Sequence, residues 1–143
     1  MPVLTDPQGW FTLHVPDGWD MATEDSVTTL RRRDGAGIVY VSGARHTRGR
    51  QASFGGADFL ARFLRSLGVE VDETTIANAA GPGCRFYTHR SSTSAADWWF
   101  WSVTDDETAL LISCARPVGA PGDMDEVDGM VRSVCLYHSA PVH

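Results

Sequence analysis

Alternating apolar and polar residues predict β-strands along most of the chain. In residues 10–15 (WFTLHV), Phe11, Leu13 and Val15 fall on one face, which is typical of a half-buried strand. Residues 38–42 (IVYVS) are apolar on both faces, which indicates an interior strand. A further extended segment is predicted to begin at Trp19, and further strands are predicted over residues 27–33, 69–77 and 84–90.

The segment ADWWFWSV (residues 96–103) predicts one arm of a long β-hairpin, and residues 109–116 form the other arm. A connection of either two or four residues within 105–108 produces the same register, because both keep the side-chain alternation in phase. In that register, residues 103, 101, 99 and 97 lie opposite 110, 112, 114 and 116, respectively.

The four aromatic residues of this segment divide between the two faces of the hairpin. Trp99 and Trp101 share a face with apolar residues of the second arm, whereas Trp98 and Phe100 lie on the less apolar face. If a helix covers that second face, Trp98 and Phe100 belong to the core. If it is left open, they form an exposed aromatic pair of the kind that anchors interfaces.

Apolar residues at helical spacing predict two helices. The first ends at Gly68, a residue that commonly terminates helices. The second begins near Asp123, which with Glu126 resembles a capping box. Residues 139–143 are predicted to be a flexible tail. The apolar stripes consist of Phe59, Leu60, Phe63, Leu64 and Leu67 in the first helix, and of Met124, Val127, Val131, Val134 and Cys135 in the second.

The first strand and the turn after it carry a short motif. Residues 11–19 (FTLHVPDGW) follow the pattern F-x-L-x-x-P-x-G-W, which resembles the start of the PsbP-like superfamily. That group includes the photosystem subunit PsbP, the Ran-binding protein Mog and many small bacterial proteins. The order of the predicted elements is similar to that family over nearly the whole chain.

This resemblance implies an α/β (α+β) sandwich formed by a single domain over residues 1–143. We therefore expect an antiparallel β-sheet of about six strands flanked by two main helices. Relatives of this kind mostly bind other proteins, as assembly factors, adaptors or secretion chaperones. The family brings no set of catalytic residues, so none is assigned by resemblance.

Composition narrows the classes of partner. The 143 residues suit one domain with one core, and a net charge of -6 argues against nucleic acid as the main partner. All twelve basic residues are arginines, which indicates a GC-rich bacterial genome. The sequence therefore has no lysine for Schiff-base or P-loop chemistry.

Cysteine usage and the start of the sequence favour a cytoplasmic protein. Cys84, Cys114 and Cys135 form neither a C-x-x-C motif nor an even set, so we expect reduced thiols packed in the core. Residues 1–10 lack the pattern of a signal peptide, and no apolar run approaches the ~20 residues needed to span a membrane. We expect no cofactor.

The preferred functional hypothesis is a non-enzymatic protein-binding module: an adaptor, chaperone-like or immunity-type protein. Its predicted partner surface combines the aromatic pair Trp98 and Phe100 with the basic loop that contains Arg45, Arg48 and Arg50. The partner expected there is another protein of unknown identity. A homodimer formed through the aromatic face is a further hypothesis.

The alternative hypothesis is a small-molecule site or an enzyme. Arg85, Tyr87 and His89 alternate onto one face of a predicted strand, and His14 could join them if its strand lay alongside. A metal centre is not predicted, because no two histidines are spaced two or four residues apart.

Overall fold

The computed structural model describes residues 3–5, 9–24, 27–33, 37–45, 56–69, 76–79, 85–92, 94–104, 108–117 and 125–136. In chain order, the elements are β1 (Val3–Thr5), β2 (Phe11–His14), β3 (Trp19–Glu24), β4 (Val27–Arg32), β5 (Ile38–Arg45), α1 (Gly56–Ser66), β6 (Ala77–Ala79), β7 (Arg85–Ser92), β8 (Ala96–Thr104), β9 (Thr108–Pro117), α2 (Asp125–Arg132) and β10 (Cys135–Leu136).

These strands form two antiparallel sheets. The large sheet has the order β3-β4-β5-β9-β8-β7-β6, and the small sheet has the order β1-β2-β10. The predicted antiparallel sheet with two helices is confirmed, and β5 is an interior strand as expected. Within the described ranges, the large sheet has seven strands rather than about six. The small sheet was not predicted, because β1 and β10 have only three and two residues and carry no readable alternation.

The β8–β9 hairpin has the register that the sequence predicts. Val103 lies opposite Leu110, Trp101 opposite Ile112 and Trp99 opposite Cys114. Further along, Asp97 lies opposite Arg116. The alternation of large side chains fixes this pairing, because a slip of one residue would move every core residue to the wrong face.

The face of the large sheet that carries Trp101 packs against the small sheet and α2, and we call it the α2 face. Its core includes Leu13 from β2, Trp101 from β8 and Val131 from α2, each at most 4% exposed. The predicted inward residues Phe11, Leu13 and Val15 are all buried. This face therefore holds the larger of the two hydrophobic cores.

The opposite face of the large sheet carries Phe100 and packs against α1, and we call it the α1 face. Leu60 and Leu64 of α1 are fully buried there beside Phe100 and Ile76, which form a second cluster. The predicted apolar stripe of this helix is correct at these positions. Leu67 is an exception, because it lies past the end of the helix and is 55% exposed.

Gly68 ends α1 as predicted. Its φ of 81° lies in the left-handed region, where glycine pays no Cβ penalty. The amide of Gly68 donates to the carbonyl of Arg65, and the amide of Val69 donates to the carbonyl of Leu64, both at 3.0 Å. This pair of bonds is a Schellman motif, which fixes the direction of the chain beyond the helix.

The prediction for the end of the second helix is wrong at Cys135. α2 ends at Arg132, and Cys135 lies in β10 opposite Thr12 with an exposed side chain. The thiol therefore does not pack in the core, because pairing with β2 replaces the helical periodicity on which the prediction relied. The proposed cap Asp123, as well as Met124 and Cys84, lies outside the described residues.

Candidate functional site: a groove between α1 and the large sheet

A cavity of about 550 Å³ lies on the α1 face, between the sheet and the C-terminal end of α1. We call it the α1 groove. Its floor crosses five neighbouring strands, from β7 through β8, β9 and β5 to β4. The described residues that line it are Val27, Tyr40, Ser42, Phe63, Leu67, Gly68, Val69, Ser91, Trp98, Phe100, Leu111 and Ser113.

The strand register arranges the floor of the groove in rows of small and large side chains. In one row Phe100 lies opposite Ser113, which lies opposite Tyr40. In the next row Leu111 lies opposite Ser42. Each serine therefore sits between bulkier neighbours, and this difference in size creates the depression.

Aromatic rings form much of the wall. The rings of Trp98 and Phe100 stack with centroids 5.8 Å apart and planes 6° apart. They stack because residues i and i+2 of a strand point to the same face. Phe63 of α1 and Tyr40 of β5 are both half-buried and line the groove from the helix and from the sheet.

None of the described lining residues carries a charge. The polar side-chain groups of these residues are the hydroxyls of Tyr40, Ser42, Ser91 and Ser113 and the indole N–H of Trp98. The groove opens to solvent at its rim, where Leu67 is 55% exposed. A site of this size, mainly apolar and with a few hydroxyls, is typical of binding sites for apolar groups.

The structure separates the two aromatic residues that the sequence placed on this face. Phe100 is only 3% exposed and lies beneath Leu60 and Leu64 of α1, so this chain's own helix covers most of it. It is therefore a core residue whose ring forms part of the groove wall, and of the two alternatives that the sequence left open for Phe100 the structure shows the covered one. Trp98 is half-buried and contributes to the groove directly.

Arg45, the described residue of the predicted basic loop, does not adjoin Trp98. Arg45 lies opposite Thr108 at the start of β9, whereas Trp98 lies opposite Ala115, seven residues further along that strand. Seven residues of extended strand span about 24 Å. The register thus places Arg45 towards the opposite end of the sheet, and Arg48 and Arg50 lie outside the described residues.

The structure does not assemble the four residues of the alternative site. His14 is exposed on the small sheet, which packs on the α2 face, whereas His89 lies opposite Phe100 on the α1 face. Tyr87 shares that face and packs against the second cluster. By its register Arg85, opposite Thr104 at the start of β7, belongs to the same face, so the predicted alternation of Arg85, Tyr87 and His89 is correct. The large sheet therefore lies between His14 and His89.

Among the described side chains, no three His, Cys, Asp or Glu residues come together as metal ligands. The described part of the chain also has no helix long and apolar enough to cross a membrane.

Sequence analysis missed several residues of the groove. Tyr40, Phe63 and Ser113 were assigned to ordinary core or strand positions, and Leu67 to the buried stripe of α1. Their alternation does show which face they occupy. The alternation carries no information on how far along the sheet α1 extends. That distance determines which residues of this face line a cavity.

Solved structures share this architecture. One is a crystal structure at 1.50 Å resolution of a protein from Bacteroides thetaiotaomicron VPI-5482, with a TM-score of 0.71 and 13% identity over 95% of this chain. Another is the solution structure of cyanobacterial PsbP from Synechocystis sp. PCC 6803, with a TM-score of 0.67 and 13% identity over 95% of this chain.

This chain covers 92% of the cyanobacterial PsbP structure but only 48% of the Bacteroides chain. No family model and no curated protein matches the sequence. The two structural matches, with the motif in residues 11–19 and the order of elements, show that the protein has the PsbP-like fold. At 13% identity they show the fold alone.

Proposed function

We propose that this protein is a non-enzymatic binding module, of the adaptor, chaperone-like or immunity type. In this proposal the α1 groove holds an apolar segment of another protein. The observation that carries the proposal is a mainly apolar groove, walled by aromatic rings, whose rim residue Leu67 is exposed. Apolar patches rimmed by polar groups commonly mark interaction sites, and aromatic residues dominate binding energy at interfaces.

Covering the groove would lower the free energy of its apolar surface. Each large apolar side chain removed from water contributes about 1.5–3 kcal/mol. Leu67 and Trp98 both have apolar surface to bury, because Leu67 is exposed and Trp98 is half-buried in the isolated chain. We also propose a cytoplasmic location, supported by the exposed free thiol of Cys135.

The test is binding by the full chain and two matched charge variants. Leu67→Glu places a carboxylate at the rim of the groove, and Val3→Glu places one on the small sheet at a similar exposure of 48%. Both sites are exposed, so both variants should fold. We expect a protein captured from the native host to bind the original chain and Val3→Glu but not Leu67→Glu.

The captured protein is then purified and titrated against the same three chains by calorimetry. Loss of at least about tenfold in affinity for Leu67→Glu alone supports the proposal. Equal affinity for all three chains contradicts it. Light scattering of the chain alone at several concentrations tests whether a second copy of the chain occupies the groove. A dimer that Leu67→Glu abolishes would mean that it does.

A second candidate function is binding of a small apolar molecule in the same groove. The volume of about 550 Å³ favours it, since ligand pockets commonly measure ≈ 300–1,000 Å³. Mass spectrometry of the natively purified protein tests this candidate. If the purified protein carries a small molecule that Leu67→Glu or Trp98→Ala releases, then that molecule, and not a protein segment, is the natural occupant of the groove.

A further inference from the structure

The strand β3 forms one edge of the large sheet, and no strand of the described structure pairs with its outer side. Residues 20–24 of this strand are all exposed, and Met21 is 44% exposed, which shows an edge open to solvent. The six residues of β3 include no proline that would interrupt pairing. Because an open edge presents unpaired backbone groups, it is a template for a further strand.

The hydrogen bonds of the β3–β4 hairpin show which residues present these groups. The amide of Arg33 donates to the carbonyl of Gly18 at 2.9 Å, and this contact continues the β3–β4 register by one pair. Hydrogen-bonded pairs recur at every second residue of an antiparallel ladder, so the even-numbered residues of β3 bond to β4. The N–H and C=O groups of Trp19, Met21 and Thr23 therefore point outward.

The sequence of β3 selects one symmetric pairing with a second copy of the chain. In a two-fold antiparallel pair, outward-pointing residues must face one another, so the strands centre on either Ala22 or Met21 for the greatest overlap. Centring on Ala22 sets Asp20 directly opposite Glu24 of the second copy, and like charges in that position are destabilising. Centring on Met21 sets Asp20 opposite Ala22 and buries the exposed methionine against its own copy.

Charge complementarity also favours the register centred on Met21. This register sets Glu24 opposite Gly18 of the second copy, and Gly18 has no side chain to separate Glu24 from Arg33 on the adjoining strand β4. By alternation, Glu24, Asp20 and Arg33 share one face of the sheet. Arg33 already extends across the hairpin to Asp20, with Nε 3.0 Å from Oδ1, while 67% of its side chain stays exposed. Its guanidinium therefore lies on the side where Glu24 of the second copy arrives.

We propose that the protein forms a homodimer through β3, in which two large sheets join edge to edge around Met21 and its symmetry mate. Backbone hydrogen bonds of Trp19, Met21 and Thr23 hold the contact, and an Arg33–Glu24 ion pair closes each end. The contact uses none of the described lining residues of the α1 groove, so the inference goes beyond the proposed function and does not rest on it. Because the paired area is small, we expect a weak dimer with Kd on the order of 100 μM.

Sedimentation of the full chain from about 1 μM to 1 mM tests the dimer, with one backbone variant and its control. Met21→Pro removes an outward N–H and keeps the bonds between β3 and β4, because Met21 does not bond to β4. Met21→Leu keeps the N–H and an apolar side chain of similar size. We expect the original chain and Met21→Leu to dimerise alike, and Met21→Pro to associate at least about tenfold more weakly.

A pair of charge reversals tests the register by a readout that a folding defect does not produce. Glu24→Arg sets like charges against Arg33 of the second copy, and Arg33→Glu sets like charges against Glu24. Each variant alone should dimerise at least about tenfold more weakly than the original chain. An equimolar mixture sets opposite charges together at both ends of the contact, so we expect association to return as a heterodimer.

A monomer at every concentration, a Met21→Pro chain that dimerises as well as the original, or a mixture that associates no better than the single variants would each overturn the proposed dimer. A dimer that Leu67→Glu abolishes would place the contact at the α1 groove and would also overturn it. A dimer that survives Leu67→Glu, weakens in Met21→Pro and returns on mixing the charge variants supports the β3 contact.

Discussion

The Cys114 thiol on β9 is fully buried on the α2 face, opposite Trp99 and Val39. Burial raises the pKa of this thiol from 9.0 to about 11, although the positive charge of Arg116 partly lowers it. The thiol therefore stays protonated in the folded chain at pH values where the unfolded chain ionises. Because the thiolate is the nucleophile, Cys114 is inert, in agreement with its predicted role in packing.

The raised pKa of Cys114 predicts a loss of stability at high pH. Below about pH 9 the thiol is neutral in both states; between about 9 and 11 it ionises only in the unfolded chain, so the free energy of unfolding falls. At pH 10.5 the loss is about 2 kcal/mol. Urea unfolding of the original chain and of Cys114→Ala across this range measures it. Parallel pH curves for the two chains would contradict the prediction.

Two buried hydroxyls illustrate the cost of an unsatisfied polar group. Within the described structure, Oγ of Ser102 and Oγ1 of Thr104 have no hydrogen-bond partner, although both residues are at most 1% exposed. Thr28 is also buried, but its hydroxyl lies 3.0 Å from that of Thr23. Identical substitutions at Thr104 and Thr28 should therefore have different effects.

Thr104→Val is expected to leave stability unchanged or to raise it by about 1 kcal/mol, because it removes an unpaired hydroxyl and keeps the shape. Thr28→Val is expected to lower stability by about 1 kcal/mol, because it breaks a hydrogen bond. Denaturant unfolding of both variants measures the contrast. A larger loss for Thr104→Val than for Thr28→Val would show that Thr104 has a partner in solution.

At the scale of elements, α2 is tied to the β3–β4 hairpin by one acidic side chain. The indole N–H of Trp19 donates to Oε1 of Glu126 at 2.5 Å, and the Arg32 guanidinium lies 3.7 Å from the same oxygen. The Arg32–Glu126 pair is more than one third exposed on both sides and contributes little by itself. The hydrogen bond from the buried Trp19 adds a directional contact to the packing of Val127, Met130 and Val131 of α2 in the core.

One glycine just past the end of α1 and one inside α2 allow a matched test of helix geometry. Gly68 has a φ of 81°, whereas Gly129 lies inside α2, and a Cβ at either position would meet nothing within 4 Å. Gly68→Ala should lower stability by about 1–2 kcal/mol, because alanine is strained in the left-handed region. Gly129→Ala should raise it by about 0.5–1 kcal/mol. Thermal unfolding of both variants is the measurement, and effects of the same sign would contradict the assigned conformations.

At the scale of the whole molecule, the two faces of the large sheet are covered to different degrees. The small sheet and α2 cover the α2 face, where Trp101 is 4% exposed. α1 covers only part of the other face, and the α1 groove remains beside it. We therefore expect substitutions on the α2 face to change mainly the free energy of unfolding, and substitutions on the α1 face to change mainly binding.

Two tryptophans of β8, one on each face, test this division. Trp101→Ala should lower the free energy of unfolding by about 3–5 kcal/mol, as expected for truncation in a packed core. Trp98→Ala should cost about 1–2 kcal/mol, because half-buried Trp98 loses less contact. Chemical denaturation measures both, and equal costs would mean that the groove is as closely packed as the core.

The sequence by itself determined which residues share a face and where several elements begin and end. The β8–β9 register, the inward set Phe11, Leu13 and Val15, and the helix end at Gly68 were all predictable. Each depends on interactions between residues close in sequence: alternation along a strand, a short hairpin connection and a left-handed glycine. The family resemblance of residues 11–19 predicted an antiparallel sheet flanked by helices.

Only the tertiary structure decided what covers each face. It placed Phe100 beneath α1, left Leu67 exposed at the rim, kept Arg45 about 24 Å along the sheet from Trp98, and put His14 and His89 on opposite sides. The physical reason is that periodicity reports the direction of a side chain but not the position of a distant helix above it. That position depends on long-range packing, such as Leu60 and Leu64 against Phe100. The α1 groove exists because α1, packed at that position, covers only part of this face of the sheet.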